Sequence, residues 1–157
     1  MPPTETTIRT ATPEDSAVIL HHRRRMFEDM REGTAQDLDR MVEATAAWLV
    51  RSLSDGSYRG WLAENVEGKI VAGGGVLVSS WPAGPRDHYP RRALIINVYT
   101  ELEFRRQGLA RRLMLLMIQW LKDEGFTSVS LHASAEGRPL YDALGFHPTN
   151  EMRLSLK

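Results

Sequence analysis

The chain has no cysteine, which excludes disulfides, thiolate metal ligands and a cysteine nucleophile and fits a reducing compartment. No window approaches the roughly 18 uninterrupted apolar residues of a spanning helix, and the opening MPPTETTIRT has no charged head followed by an apolar stretch. The expectation is a soluble cytoplasmic protein with no membrane partner. Neither charge is in excess: 20 Lys and Arg face 20 Asp and Glu. With no global field to recruit a polyanion, nucleic acid is not expected as a partner either, and an Arg triplet without interleaved aromatic residues does not change that. The histidines (His21, His22, His88, His132 and His147) show no ligand spacing, so no metal is expected. Internal repeats and low-complexity tracts are absent.

What is present is enough apolar sequence, 42% of 157 residues, to bury one core, so residues 1–157 read as a single domain, with 1–6 a flexible lead. TIRTAT reads as a short strand. Thr12 then caps a helix with Pro13 at its first position and Glu14 and Asp15 in its first turn. Ala17, Leu20, Arg24, Phe27 and Met30 follow at helical spacing as far as REGT, with the stop at Gly33. Leu38, Met41, Val42, Thr45, Trp48 and Leu49 mark one face of a second helix, ended by SDGS. The period then changes: RGWLAEN and KIVAGGGVLVSSW flank the turn VEGK as a hairpin. Gly73, Gly74 and Gly75 mark a bulge, a close approach by another backbone or a ligand, or equally an ordinary packing kink in its second strand. The proline-rich segment Trp81 to Arg92 is a loop. ALIINVYT, Ala93 to Thr100, is a strand covered on both faces and the candidate centre of a sheet. A helix from Leu109 to Glu124, an alternating strand TSVSLHA, a short helix around Pro139 to Leu144 and a last strand MRLSLK complete the chain.

Between the central strand and the helix lies TELEFRRQGLARRLMLL. A strand that runs through a glycine turn into a helix leaves several amide N–H groups unpaired and aimed the same way, which suits phosphate. Gly108 lets the backbone approach an anion, Ala110 keeps the first turn narrow, and Arg105, Arg106, Arg111 and Arg112 add positive charge. The pattern basic-x-x-Gly-x-small occurs by chance in roughly one chain in ten of this length. A charged helix start with solvated arginines is the plain alternative.

A second motif, SAEGRPLYDALGF, Ser134 to Phe146, lies about thirty residues on. Together with NVYTELEFRRQGLARRLM it resembles the GNAT superfamily of N-acetyltransferases, across nearly the whole chain. The resemblance implies an α/β (α+β) fold: a mixed, mostly antiparallel sheet of about six to seven strands, splayed at the central strand and flanked by about four helices. It implies acetyl-CoA as cosubstrate, with its pyrophosphate on the turn Arg105, Arg106, Gln107, Gly108, Leu109 and Ala110, flanked by Arg111. Strand amides of Val98 and Thr100 would hold the pantetheine arm and thioester, and Ser134 would contact the coenzyme. Tyr141, the tyrosine of the LYxxLGF segment, would protonate the departing thiolate as the catalytic residue. On the residues alone, Tyr141 reads as a packed aromatic on an amphipathic helix; the catalytic role comes only from the resemblance.

Two departures from the family stand out. Many relatives place an asparagine and, three residues later, an alanine where this chain has Ser134 and Gly137. Some carry a glutamate base on the central strand, where this chain has Leu94. A lysine-like amine is uncharged in about one molecule in a thousand at neutral pH, so a proton must be removed. Glu64, Asn97, Glu101, His88 and an ordered water are the candidates. The acceptor, a small-molecule or peptide primary amine, is expected between the first helix (HHRRRMFEDM), the loop Trp81 to Arg92 and the stretch HPTNEM. Arg23, Arg24 and Arg25 read first as a solvated helix surface; recognition of an acidic or carboxylated acceptor is the alternative, limited to one or two of them because consecutive helical positions point apart. The alternative function is a non-catalytic acyl-CoA sensor of the same fold. Relatives are often dimers, so a homodimer is a further expectation.

Overall fold

The computed structural model describes residues 4–157; the first half of the lead expected to be flexible lies outside them. Thr6, by contrast, is buried at the start of β1 (Thr6–Thr10). Thr12 and Asp15 close a reciprocal capping box around a 3-10 turn, Pro13–Asp15, which runs into α1 (Ser16–Asp29). α2 (Ala35–Asp55) starts with a second such box, Thr34 with Asp37, and stops at Gly56 in the left-handed conformation. The hairpin β2 (Tyr58–Asn65) and β3 (Ile70–Ser80) follows, then β4 (Arg91–Thr100), α3 (Leu109–Asp123), β5 (Ser130–Leu131) and α4 (Arg138–Ala143).

The five strands stand in chain order in one sheet. β1 to β4 are antiparallel neighbours, and β5 joins β4 in parallel. Period-two alternation sends opposite faces of β2 into two cores. Tyr58 and Leu62 meet Ile19 of α1 and Leu49 of α2, whereas Trp61 and Ala63 meet Leu113, Met117 and Leu121 of α3. The glycine run of β3 serves close approach: a Cβ on Gly75 would overlap the Tyr58 hydroxyl, and one on Gly74 would lie 3.0 Å from the methyl of Met117. Among the described residues no helix is long and apolar enough to cross a membrane.

Three expectations are corrected. The sheet has five strands, fewer than the six to seven expected, because MRLSLK forms no strand. Met152, Leu154 and Leu156 are 94%, 81% and 90% exposed: their alternation has no neighbouring strand to lie on. β5 is two residues long rather than seven, because β4 turns away from it. The α1 face is also rotated from the one read in sequence. Ile19 and His22 are its buried residues, and Arg24 lies on the outer side, paired with Glu28 and Asp39.

The departure of β4 from β5 shapes the molecule. The two strands pair only at Leu94 with Ser130 and Ile95 with Leu131. One step later the β3–β4 register slips, Gly75 facing Ile96 but Gly73 facing Tyr99. Two residues of β4, Asn97 and Val98, therefore oppose Gly74 alone, and Asn97 takes φ 61. A bulge of this kind bends its strand and sharpens the local twist, and asparagine is among the few side chains that tolerate the left-handed region.

Candidate active site

A cavity of about 1030 Å³ occupies the gap so opened. β4 from Leu94 to Thr100, residues 131–134 of the diverging segment, the turn from Phe104 to Arg111, and Leu140 and Tyr141 of α4 form one side. α1 and α2 close the other with Arg23, Met26, Phe27, Thr45 and Trp48.

The turn is built from three backbone states. After a 3-10 segment, Leu102–Phe104, Arg105 is extended, Arg106 has φ 63 and Gly108 has φ 78. Gly108 can hold this conformation because it lacks a Cβ, and the space a Cβ would enter is empty to 4 Å. Buried Leu109 and Leu113 then anchor α3 against the sheet. The first amide to close a helical bond is that of Arg112, on the Gly108 carbonyl at 3.0 Å. The amides of Leu109, Ala110 and Arg111 precede it and have no intrahelical acceptor. Their shared direction and the positive end of the helix dipole make this wall of the cavity an anion cradle.

The four arginines divide. Arg105 is a strut: its Nε donates to the Thr100 carbonyl at 2.9 Å, and its Nη2 donates to Asp29 at the end of α1. Glu136 lies 3.6 Å from its Nη1, and its guanidinium sits 5.4 Å from the Tyr99 ring centroid. Arg112 turns away to donate to the Thr6 hydroxyl at 2.8 Å. Arg106 and Arg111 remain exposed beside the cavity, with no ion pair among the described residues. Gln107 is directed elsewhere, its Oε1 accepting from the Thr4 amide at 3.0 Å, and it is absent from the cavity wall.

Tyr141 projects from α4 into the cavity, with its ring edge-on to Phe146 at 6.0 Å. Burial raises its phenol above the ordinary value, so it is protonated at neutral pH. Ser134 closes the turn that leads into α4: its Oγ accepts from the Gly137 amide at 3.1 Å. The glycine at 137 has a local reason, because a Cβ there would lie 2.8 Å from Cε2 of Tyr141. Val98, Thr100, Arg105, Arg106, Gly108, Leu109, Ala110, Arg111, Ser134 and Tyr141 thus line one cavity.

The candidate bases do not converge in the same way. Glu64 is on β2 and pairs with Arg9 at 3.0 Å; His88 is exposed in the loop before β4. Glu101 pairs with His21 of α1 at 2.9 Å. None of the three lines the cavity. Asn97 does, 4% exposed, but an amide cannot take up a proton. The acceptor wall is also different from the one expected. The loop Trp81 to Arg92 and the stretch HPTNEM contribute nothing to it; the loop lines a separate cavity of about 190 Å³. α2 takes their place, through Thr45 and Trp48. Sequence spacing marked both residues as a packed face without distinguishing a core from a cavity wall. His132 lines the cavity as well and was read only as one residue on an alternating strand.

A mixed sheet that opens beside an anion-cradling helix start, with a protonated phenol on the same cavity, is the architecture of an acyltransferase. The chain belongs to the acetyltransferase (GNAT) family, whose model matches residues 19–146. It is 31% identical to a GCN5-related N-acetyltransferase from Ralstonia eutropha JMP134, with a TM-score of 0.91 over 97% of this chain and 99% of that one. A predicted acetyltransferase from Clostridium acetobutylicum, crystallised with acetyl-CoA, is 25% identical, with a TM-score of 0.87 over 97% of each chain. Human N-acetyltransferase 8 is 28% identical over 94 residues, which are 58% of this chain and 39% of that protein.

Proposed function

We propose that the protein is an acetyl-CoA-dependent N-acetyltransferase that moves the acetyl group directly onto a primary amine of a small molecule or peptide. One observation carries this reading: the unpaired amides of Leu109, Ala110 and Arg111 and the phenol of Tyr141 face one cavity. The residues fit the coenzyme. Open space over Gly108 and free charge on Arg106 and Arg111 suit a diphosphate, with Arg105 acting by bracing the turn. Val98 and Thr100 would hold the arm through their amides, and Ser134 would contact the coenzyme in addition to closing the turn before α4.

When bound, acetyl-CoA supplies a thioester whose carbonyl carbon accepts the amine nitrogen as the C–S bond breaks. The Val98 amide would donate to the carbonyl oxygen as charge builds on it, and the Tyr141 hydroxyl would donate its proton to the departing sulfur. Glu64, Glu101 and His88 lie off the cavity, so the ammonium proton passes to water. No bond to the enzyme is required. Calorimetric titration with acetyl-CoA, followed by thiol release with a panel of amines, tests the reading. No binding would refute it.

A second reading, a non-catalytic acyl-CoA sensor, is favoured by one observation: no carboxylate proposed as a base lines the cavity. Coenzyme binding without thiol release across the panel would support it. The placement of Tyr141 supports catalysis instead.

A further inference from the structure

Arg23, Arg24 and Arg25 are consecutive in sequence but are spread around α1 by about 100° per residue, and their surroundings differ. Arg24 pairs with Glu28 at 3.0 Å and Asp39 at 2.6 Å, and Arg25 pairs with Glu28 at 2.6 Å. Both are matched by carboxylates of the chain, Arg25 lying beside Tyr99 as well. Arg23 turns inward to the cavity. Its Nη1 donates to Oδ1 of buried Asn97 at 2.8 Å, and its guanidinium lies 5.1 Å from the centroid of Phe27. Its Nε is buried without a hydrogen-bond partner. Among the described residues no carboxylate lies within the 4.0 Å of an ion pair.

The polar groups behind Arg23 leave its charge uncompensated. Asn97 passes the contact on, its Nδ2 donating to the Tyr58 hydroxyl at 3.1 Å, and burial pushes that phenol up to about 12, so it is neutral. A guanidinium nevertheless stays protonated, although burial opposes its charge. Buried charges in proteins are paired, because an unpaired one loses its hydration for no return. Among the described residues none of the carboxylates on the cavity wall, Asp29, Glu32 and Glu136, pairs with Arg23, and this half-buried cation faces the cavity that would receive the acceptor. The surrounding wall is otherwise mainly apolar: Met26, Phe27, Trp48, Leu77 and Ile96.

We infer that the acceptor is an amine carrying a carboxylate and an apolar group, with the carboxylate paired to Arg23 and the apolar group against Phe27 and Trp48. Among the wall residues from α1 and α2 Arg23 alone is cationic, Arg106 and Arg111 being at the coenzyme turn, and a single cation matches a carboxylate better than a phosphate dianion. This inference rests on the acetyltransferase reading and adds the class of acceptor to it.

The test compares acids with the matched amines that lack the carboxylate: phenylalanine with phenethylamine, leucine with isoamylamine, and 3-amino-3-phenylpropanoate with 1-phenylethylamine. Thiol release gives kcat/KM for each, and acetyl-CoA binding is measured in parallel by calorimetry. Wild type should favour at least one acid over its partner by tenfold or more. Arg23→Gln should reduce that ratio by about 10- to 100-fold, the range for a hydrogen bond to a charged group. Arg23→Lys, which keeps the charge but not the planar fork, should fall between them. A wild-type ratio at or below one in every pair, no acid acetylated, or a ratio unchanged by Arg23→Gln would overturn the inference. Because the wild-type comparison needs no variant, poor folding of Arg23→Gln leaves it decisive. Failure to bind acetyl-CoA would instead sink the acetyltransferase reading itself.

Discussion

Gly108 and Gly56 form a matched pair. Gly108 opens α3 at φ 78, ψ 11, and Gly56 closes α2 at φ 81, ψ 3. A Cβ on either meets nothing within 4 Å. Alanine at either position therefore incurs the left-handed penalty and no clash, about 1–2 kcal/mol. In a chain of this size a kcal/mol is about 2–4 °C, so each variant should lose roughly 2–8 °C in Tm. They diverge in ligand binding. Gly108 lines the cavity and Gly56 does not, and the space over Gly108 is the space assigned to the diphosphate. A methyl group there displaces at least one hydrogen bond to a charged oxygen, about 1.5–3 kcal/mol or 10- to 150-fold in Kd. Thermal unfolding without ligand and calorimetry with acetyl-CoA measure the two effects separately. Equal Tm losses with wild-type affinity in both variants would refute the assignment of the turn.

Tyr141→Phe keeps the ring against Phe146 and removes only the hydroxyl, so turnover should fall about a hundredfold with coenzyme affinity little changed; steady-state kinetics beside calorimetry reads both, and unchanged turnover would remove Tyr141 from the mechanism. Arg105→Ala should lower Tm because it removes the bonds to Asp29 and Thr100, whereas Arg111→Ala should leave Tm in place and weaken coenzyme binding most at low salt. Stability should also fall on acidification between pH 6.5 and about 4. Burial lowers the pKa of His22 from 6.5 to about 4, so within that window the unfolded chain binds a proton that the native state refuses. The loss is absent above pH 6.5 and reaches about 3 kcal/mol below pH 4. Urea unfolding across the range should show this slope in wild type and a flatter one in His22→Gln; identical slopes would contradict it.

Features written in local sequence were legible. Thr12 with Pro13, the VEGK turn, the apolar stripe of α3 and the glycine turn before it all depend on neighbours within a few residues. What escaped depends on partners far along the chain. Arg105 reads as a phosphate ligand until Asp29, 76 positions earlier, is brought beside it. Arg23 cannot be distinguished from Arg24 and Arg25 until the rotation of α1 on the sheet is known, because three adjacent side chains carry the same charge pattern. The bulge at Asn97 is marked in ALIINVYT only by one polar residue in an otherwise apolar run, and a lone asparagine does not by itself specify a left-handed backbone. The final segment has the alternation of a strand but no neighbour to pair with. Alternation reports a face suited to burial, and only tertiary structure supplies the surface that buries it.

The central claim is that the helix start after Gly108 holds the diphosphate of acetyl-CoA and thereby brings the thioester to Tyr141. A crystal structure of the protein with acetyl-CoA tests it most directly. The account predicts phosphate oxygens within hydrogen-bond distance of the amides of Leu109, Ala110 or Arg111, and the coenzyme sulfur beside the Tyr141 hydroxyl. A coenzyme bound away from that turn, or one whose sulfur lies out of reach of the phenol, would contradict it.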